Sequence, residues 1–285
     1  MRRLKGFIKL IRPINCLMMG FAVIVGASLL GTGWEKPDLP LRLLLGFVTA
    51  YTLTGASMAI NDYYDREIDA INEPDHPIPS GLVSPKESLI IAALLTVIGL
   101  STAALTNPPC LAVATLAWII MITYNTRGKR TGLPGNLLVS ACVSIPFIYG
   151  GLLVGGRVEV ISLLFAGLAF LSNTGREVNK GIVDIPGDRS KDIRTVAVSH
   201  GGRVAAYVAS IFYLTAVALS LLPPILNFVS PWYLPIVAIT DAGFILSSIL
   251  LIRRPTRENA KRIKNLALLW MAVGMVAFIT GALTR

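Results

Sequence analysis

"AINDYYDREIDAINEPDHPIPSG", Ala59 to Gly81, begins where some twenty mostly apolar residues end, and it places Asp62, Asp65, Glu67, Asp69, Glu73 and Asp75 within fourteen positions. That junction decides the fold class, because a run of carboxylates at the end of a greasy segment marks a helix passing from lipid into water. Composition agrees. Of the 285 residues, 54% are hydrophobic and 15% are charged, against about 25% charged in an ordinary soluble domain. The chain reads as an all-α membrane protein.

A membrane span needs roughly 20 apolar residues. Applied along the chain, that rule predicts nine transmembrane helices, at about 11–31, 41–60, 86–105, 109–125, 134–155, 158–176, 204–222, 232–252 and 264–283. The opening "MRRLKGFIKLIRP" is similar to a basic signal-peptide n-region. The apolar run behind it lasts to about Leu30, too long for a cleaved segment, so it is read as a retained first span. "TNPP" at 106–109 cannot continue a helix and predicts a tight hairpin. The segment 221–235 predicts a short interfacial helix with Trp232 and Tyr233 at headgroup depth.

Lys and Arg fix the orientation. On this reading 22 of the 26 lie at one set of helix ends and four (Lys36, Arg42, Arg157 and Arg285) at the other. The N-terminus is therefore placed in the cytoplasm and the C-terminus outside. The net charge of +10 is a topology signal and an attraction to anionic membrane lipid. No basic stripe is interleaved with aromatics, which argues against a nucleic-acid partner. Cys16, Cys110 and Cys142 lie in apolar segments without CxxC spacing and read as small buried hydrophobes.

Twelve of the sixteen acids fall on the cytoplasmic side, most of them in two places. In the first, Asp62, Asp65 and Asp69 share about a 60° arc of a helix, flanked by Asn61, while Glu67 points elsewhere. The second is "REVNKGIVDIPGDRSKD", with Glu177, Asp184, Asp188 and Asp192; Pro186 and Gly187 make a regular helix there less secure. Four helices separate the two motifs, so both end on one face. The organisation expected is a single domain, 1–285, with pseudo-repeat halves at about 1–130 and 131–252, a ninth helix at 264–283 and a central lipid-accessible cavity. Carboxylates this close raise one another's pKa unless a cation lies among them. Oxygen ligands with no His or Cys nearby favour Mg²⁺, with Mn²⁺ as the alternative, over zinc. Mg²⁺ usually keeps waters and substrate phosphates, so the third party inferred is a diphosphate. Asp241, mid-span in "VAITDAGFILSS", reads either as a hydrogen-bonded structural acid or as polar cavity lining. His200 marks a helix entrance, and the glycines of "GGLLVGG" at 150–156 permit close helix packing.

"NDYYDREID" resembles the NDxxDxxxD signature of the UbiA-type intramembrane prenyltransferases, and "DIPGD" is similar to their second DxxxD. The likeness runs over essentially the whole chain, through "IRPIN" at 11–15, "HPIPSG" at 76–81 and a Tyr-to-Lys segment at 124–129, and lies nearest the family's archaeal ether-lipid branch. It implies a Mg²⁺-dependent transfer of geranylgeranyl from its diphosphate to geranylgeranylglyceryl phosphate, making an ether bond. It implies that Asn61, Asp62, Asp65 and Asp69 hold or orient one metal and that Asp184 and Asp188 hold a second. It places Arg66, Tyr124, Lys129 and Lys180 at diphosphate oxygens, with Arg12 and Asn15 near the same pocket. Two positions depart from the pattern: His76 stands for the usual Arg, with fewer donors, and Gly181 replaces an acid. The competing readings are an aromatic or tetrapyrrole prenyltransferase, an ion-coupled transporter and a membrane scaffold. Transporter acids usually sit at the midplane rather than at one face, and a scaffold leaves the paired acids unexplained. Oligomeric state is not legible.

Overall fold

The computed structural model describes residues 2–31 and 35–284, with no strand among them. Eleven α-helices follow in order: α1 Arg2–Ile11, α2 Pro13–Ser28, α3 Leu39–Asn72, α4 Pro85–Ala104, α5 Pro108–Thr126, α6 Leu133–Gly155, α7 Val160–Ser190, α8 Val196–Leu219, α9 Leu222–Ile225, α10 Tyr233–Arg253 and α11 Arg257–Leu283. A 3-10 turn, Gly128–Thr131, joins α5 to α6. The outward faces carry exposed Leu94, Val97, Ile211 and Leu246, an apolar surface that water would not tolerate and lipid requires.

Seven helices are long and apolar enough to cross a membrane, and α1 with α2, bent by 40°, makes an eighth. That is fewer than the nine spans expected. The missing one is α7, whose apolar run stops near Leu171 before Ser172, Asn173 and the charges from Arg176 onward. The first expected span is also two helices rather than one, because Pro13 starts a new helix and Arg12 stands at a left-handed φ of 51°.

Two helices overrun the spans expected of them. At about 1.5 Å per residue, the 34 residues of α3 reach roughly 50 Å, well beyond a hydrocarbon layer of about 30 Å. The overhang is the acidic stretch. In α7, helix continues through Pro186 to Ser190, although the proline cannot donate to the Ile182 carbonyl one turn back. The 106–109 hairpin forms, with Asn107 accepting from the Cys110 amide at 2.8 Å. The expected short helix appears as α9. Trp232 is exposed, while Tyr233 is fully buried and donates to the Ser220 carbonyl at 3.0 Å. Its ring packs among Phe165 and Phe278.

The helices surround a central space. α3 packs on α4, α7 on α8 and α10 on α11, while α2 runs against α3, α6 and α11. The α2–α6 crossing is so close that a Cβ on Gly150 would overlap the Val23 carbonyl, and one on Gly26 would overlap the Phe147 backbone. Gly150→Ala is expected to lower stability by about 1–3 kcal/mol, read as the unfolding midpoint in detergent. Gly167→Ala serves as the control, since its added methyl meets only Leu219 at 3.5 Å, and it should leave stability unchanged or slightly raised.

Candidate active site

Buried carboxylates persist only where something answers their charge, and each acid of the α3 overhang is answered from a different element. Asp62, with a side chain 1% exposed, accepts from Arg12 Nη2 at 2.6 Å. Arg12 reaches it because the left-handed backbone at the α1–α2 bend turns the guanidinium inward, and its other arm meets Met58 Sδ at 3.5 Å. Asp65 pairs with Lys129 of the 3-10 turn. Asp69 accepts from His76 Nδ1 at 3.0 Å. Asn61 donates to Asn125 at 3.2 Å, tying α3 to the end of α5 beside buried Tyr124.

His76 arrives through the turn after α3, where the His76 amide bonds the Glu73 carbonyl and Val83 bonds back to Pro77. Ligand atoms of Asp62, Asp69 and His76 then lie within 4.8 Å of one another. This corrects the expectation that no histidine lies near the acids: the chain after Asn72 folds back over the last turn of α3 and brings His76 to Asp69. It also gives the unusual His76 its work, which is to hold Asp69.

On α7, Glu177 is bound by Arg176 at 2.8 Å and Lys180 at 3.9 Å. Asp184 and Asp188 follow one turn apart, and burial first, then Asp184, pushes Asp188 up to about 7. Asn72, the last residue of α3, joins the two acidic segments. It accepts from the Gly187 amide at 3.0 Å and donates to the Asp184 carbonyl at 3.3 Å. A Cβ on Gly187 would collide with the Asn72 amide. Arg257, opening α11, donates to the carbonyls of Asn72 at 3.1 Å and Val183 at 3.0 Å. Three helix ends are thereby fixed in one register, and Asp65, Asp184, Lys129 and Lys180 all act on Asp188.

Beneath the acids opens an apolar chamber holding about 1120 Å³ of space between atoms, part of it open to the outside. Asn15, Asn173, Arg176 and Glu177 are its polar edge, and Leu53, Trp118, Met121 and Met271 are among its walls. A second apolar space of about 650 Å³ shares Met18, Met19, Val143 and Met271 with the first. Asp241 lines it while accepting from Ser220 at 2.8 Å, so both readings of that residue describe it.

The structure thus brings Arg12 and His76 to Asp62 and Asp69, Asn61 to Asn125 beside Tyr124, and Asp65, Lys129, Lys180 and Asp184 around Asp188, while Asn15 lines the chamber. Arg66 lies apart. Its guanidinium sits 4.8 Å from the Tyr63 ring centroid and donates to the Tyr63 carbonyl at 2.6 Å. Sequence reasoning missed Asn72, Asn125, Arg257 and Lys264. Only Asn72 carried a signal, as the residue closing the acidic helix.

A bundle of membrane helices with two acidic overhangs above a greasy chamber is the architecture of an intramembrane enzyme acting on long-chain substrates. The model of the family described as "UbiA prenyltransferase family" matches residues 19–278, and the chain belongs to that family. It is 35% identical over 283 residues to the digeranylgeranylglyceryl phosphate synthase of Methanopyrus kandleri, covering 98% of this chain and 100% of that one. A solved structure described as digeranylgeranylglyceryl phosphate synthase in membranes superposes with a TM-score of 0.75 at 30% identity, over 100% of both chains. A UbiA homolog from Archaeoglobus fulgidus bound to DMAPP and Mg²⁺ shares the fold, with a TM-score of 0.65 at 17% identity over 96% of this chain and 99% of that one.

Gly187→Ala is expected to separate the two acidic segments by the width of a methyl group. A displacement near 1 Å at a reacting centre can cost about 10²-fold, so prenyl-transfer kcat/KM should fall by about that factor while the unfolding midpoint moves little.

Proposed function

We propose that this chain transfers a geranylgeranyl group from geranylgeranyl diphosphate to the hydroxyl of geranylgeranylglyceryl phosphate, forming the ether bond of an archaeal-type membrane lipid. The observation that carries the reading is the convergence of two acidic helix ends on one gap at the mouth of an apolar chamber. The relatives named digeranylgeranylglyceryl phosphate synthase, similar over almost the full chain, support the choice of substrates.

The donor set fits a hard divalent cation. Asp62 Oδ2 is buried and has no hydrogen-bond partner among the described residues, and Asp184 with Asp188 form a like-charged pair that a cation would relieve. In this reading Asp62, Asp65 and Asp69 face one ion and Asp184 with Asp188 a second, Mg²⁺ or else Mn²⁺, while Asn61 positions the first group through Asn125. Bound there, the metal neutralises diphosphate charge. Lys129, Lys180, Tyr124 and Arg12 present donors to the diphosphate oxygens and hold its reactive carbon toward the chamber. The apolar walls exclude water while the allylic C1–O bond of the donor breaks. The glycerol oxygen forms the new bond to C1, and its proton is released.

The same reading takes all nine expected segments as spans, with α7 sheltered by its neighbours from lipid. The N-terminus and acidic loops face the cytoplasm and the C-terminus lies outside. The chain is one domain, in which α1–α5 (1–130) and α6–α10 (131–252) form the halves and α11 closes the ring.

Purified protein given both substrates and Mg²⁺ should form the diether. Chelation with EDTA should abolish product, and added Mg²⁺ should restore it. Asp65→Ala and Asp184→Ala should each lower kcat/KM by about 10² or more. Full activity in either variant removes that acid from the mechanism, and transfer only to an aromatic or tetrapyrrole acceptor removes the acceptor assigned here.

A further inference from the structure

The cations at the chamber mouth outnumber the acids that answer them. Arg12, Lys129 and the Arg176–Lys180 pair have Asp62, Asp65 and Glu177 as partners. Lys264 makes no ion pair with any described residue, and across the α7–α11 contact it feels the charges of Lys180, Asp184 and Arg176. Arg176 Nε is buried without an acceptor. Arg176, Lys180 and Lys264 share Glu177 and Asp184, the second of which the reading above gives to a metal, and the orphaned Arg176 donor would be satisfied by an added anion.

The helix faces say which anion. Lys264, Leu268 and Met271 recur at i, i+4 and i+7 on α11, and the last two line the chamber. Arg176 lines it too, one turn below Lys180. A molecule with a charged head on Arg176 and Lys264 would therefore extend its chain down the α11 face toward Met271, where the second apolar space begins. The donor diphosphate of the proposed reaction is met by Lys129, Lys180, Tyr124 and Arg12, a set that includes neither Arg176 nor Lys264. Resting on the function proposed above, we infer that Arg176 and Lys264 form the seat of the acceptor's phosphate monoester, a second anion site apart from the one holding the donor diphosphate.

The test uses the full chain in neutral-lipid nanodiscs with geranylgeranyl diphosphate, Mg²⁺ and two acceptors: geranylgeranylglyceryl phosphate and the same ether without its phosphate. Lys264→Met keeps the apolar stem. It should raise the KM of the phosphorylated acceptor about tenfold or more, erase the preference of the wild type for that acceptor and leave the donor KM in place, and Lys264→Arg should restore the preference. A rise in the donor KM instead, or a preference intact in Lys264→Met, overturns the assignment. Adding an anionic phosphodiester lipid should not compete; if it abolishes the preference, the seat is a general headgroup site and the assignment falls. Should the wild type make no ether from either acceptor, the proposed function fails, yet the seat is still readable without turnover. Glycerol 3-phosphate should then raise the unfolding midpoint of the wild type and not of Lys264→Met, and no shift in the wild type would overturn the seat as well.

Discussion

A carboxylate that leaves bulk water must meet a cation or a donor, and at the edge of a membrane that demand shapes the whole cytoplasmic end of this protein. No acid in the site is answered from its own turn of helix except Glu177. Asp62 draws in the α1–α2 bend through Arg12, Asp65 draws in the 3-10 turn through Lys129, and Asp69 holds the returning loop through His76. Removing one member of such a pair strands a buried charge, at about 3–5 kcal/mol. These charges therefore also fasten the helix ends, and the backbone strain at Arg12 is tolerated because it brings a cation to the buried Asp62 carboxylate.

The fastening is completed by neutral groups. Two helices that overhang a bilayer from different halves of the chain have no hydrophobic reason to keep a fixed stagger, since the overhangs are polar. Asn72 supplies the reason by spending both ends of one amide on consecutive features of α7, and Gly187 lets it approach. Arg257 then adds α11 to the same joint. This is how two DxxxD segments from different halves of the chain come to act on one another.

Much of this was legible in the sequence because it rests on local composition. Apolar runs announce helices, the Lys and Arg bias assigns their ends, and the i, i+3 and i+7 spacing of Asp62, Asp65 and Asp69 puts them on one face. What stayed hidden depended on tertiary return. His76 lies seven residues beyond Asp69 with Pro74 between, and nothing local says that the loop folds back. Lys264 and Arg257 read as topology charges at the start of the last helix until α11 is seen against α7. Tyr233 looked like an interfacial aromatic because it follows Trp232, yet the two neighbours face opposite ways and the tyrosine turns into the core. At α7 the difference runs the other way: 158–176 reads as a span, and the helix that forms turns polar from Ser172 and is not apolar enough to be counted as one.

The two apolar spaces below the mouth differ from a rigid pocket in one respect that bears on their contents. Three of the four residues they share are methionines, Met18, Met19 and Met271. Methionine is unbranched and packs against irregular shapes with little penalty, so the partition between the spaces yields to whatever lies beside it. A long isoprenoid chain has many bent conformers, and a wall of β-branched residues would select among them at an entropic cost. A wall of thioethers accommodates them. The specificity of the site must then come from its polar mouth, where ions and amides are held by partners on separate elements, rather than from the fit of the hydrocarbon. Rigidity belongs to the charges here, and compliance to the greasy interior.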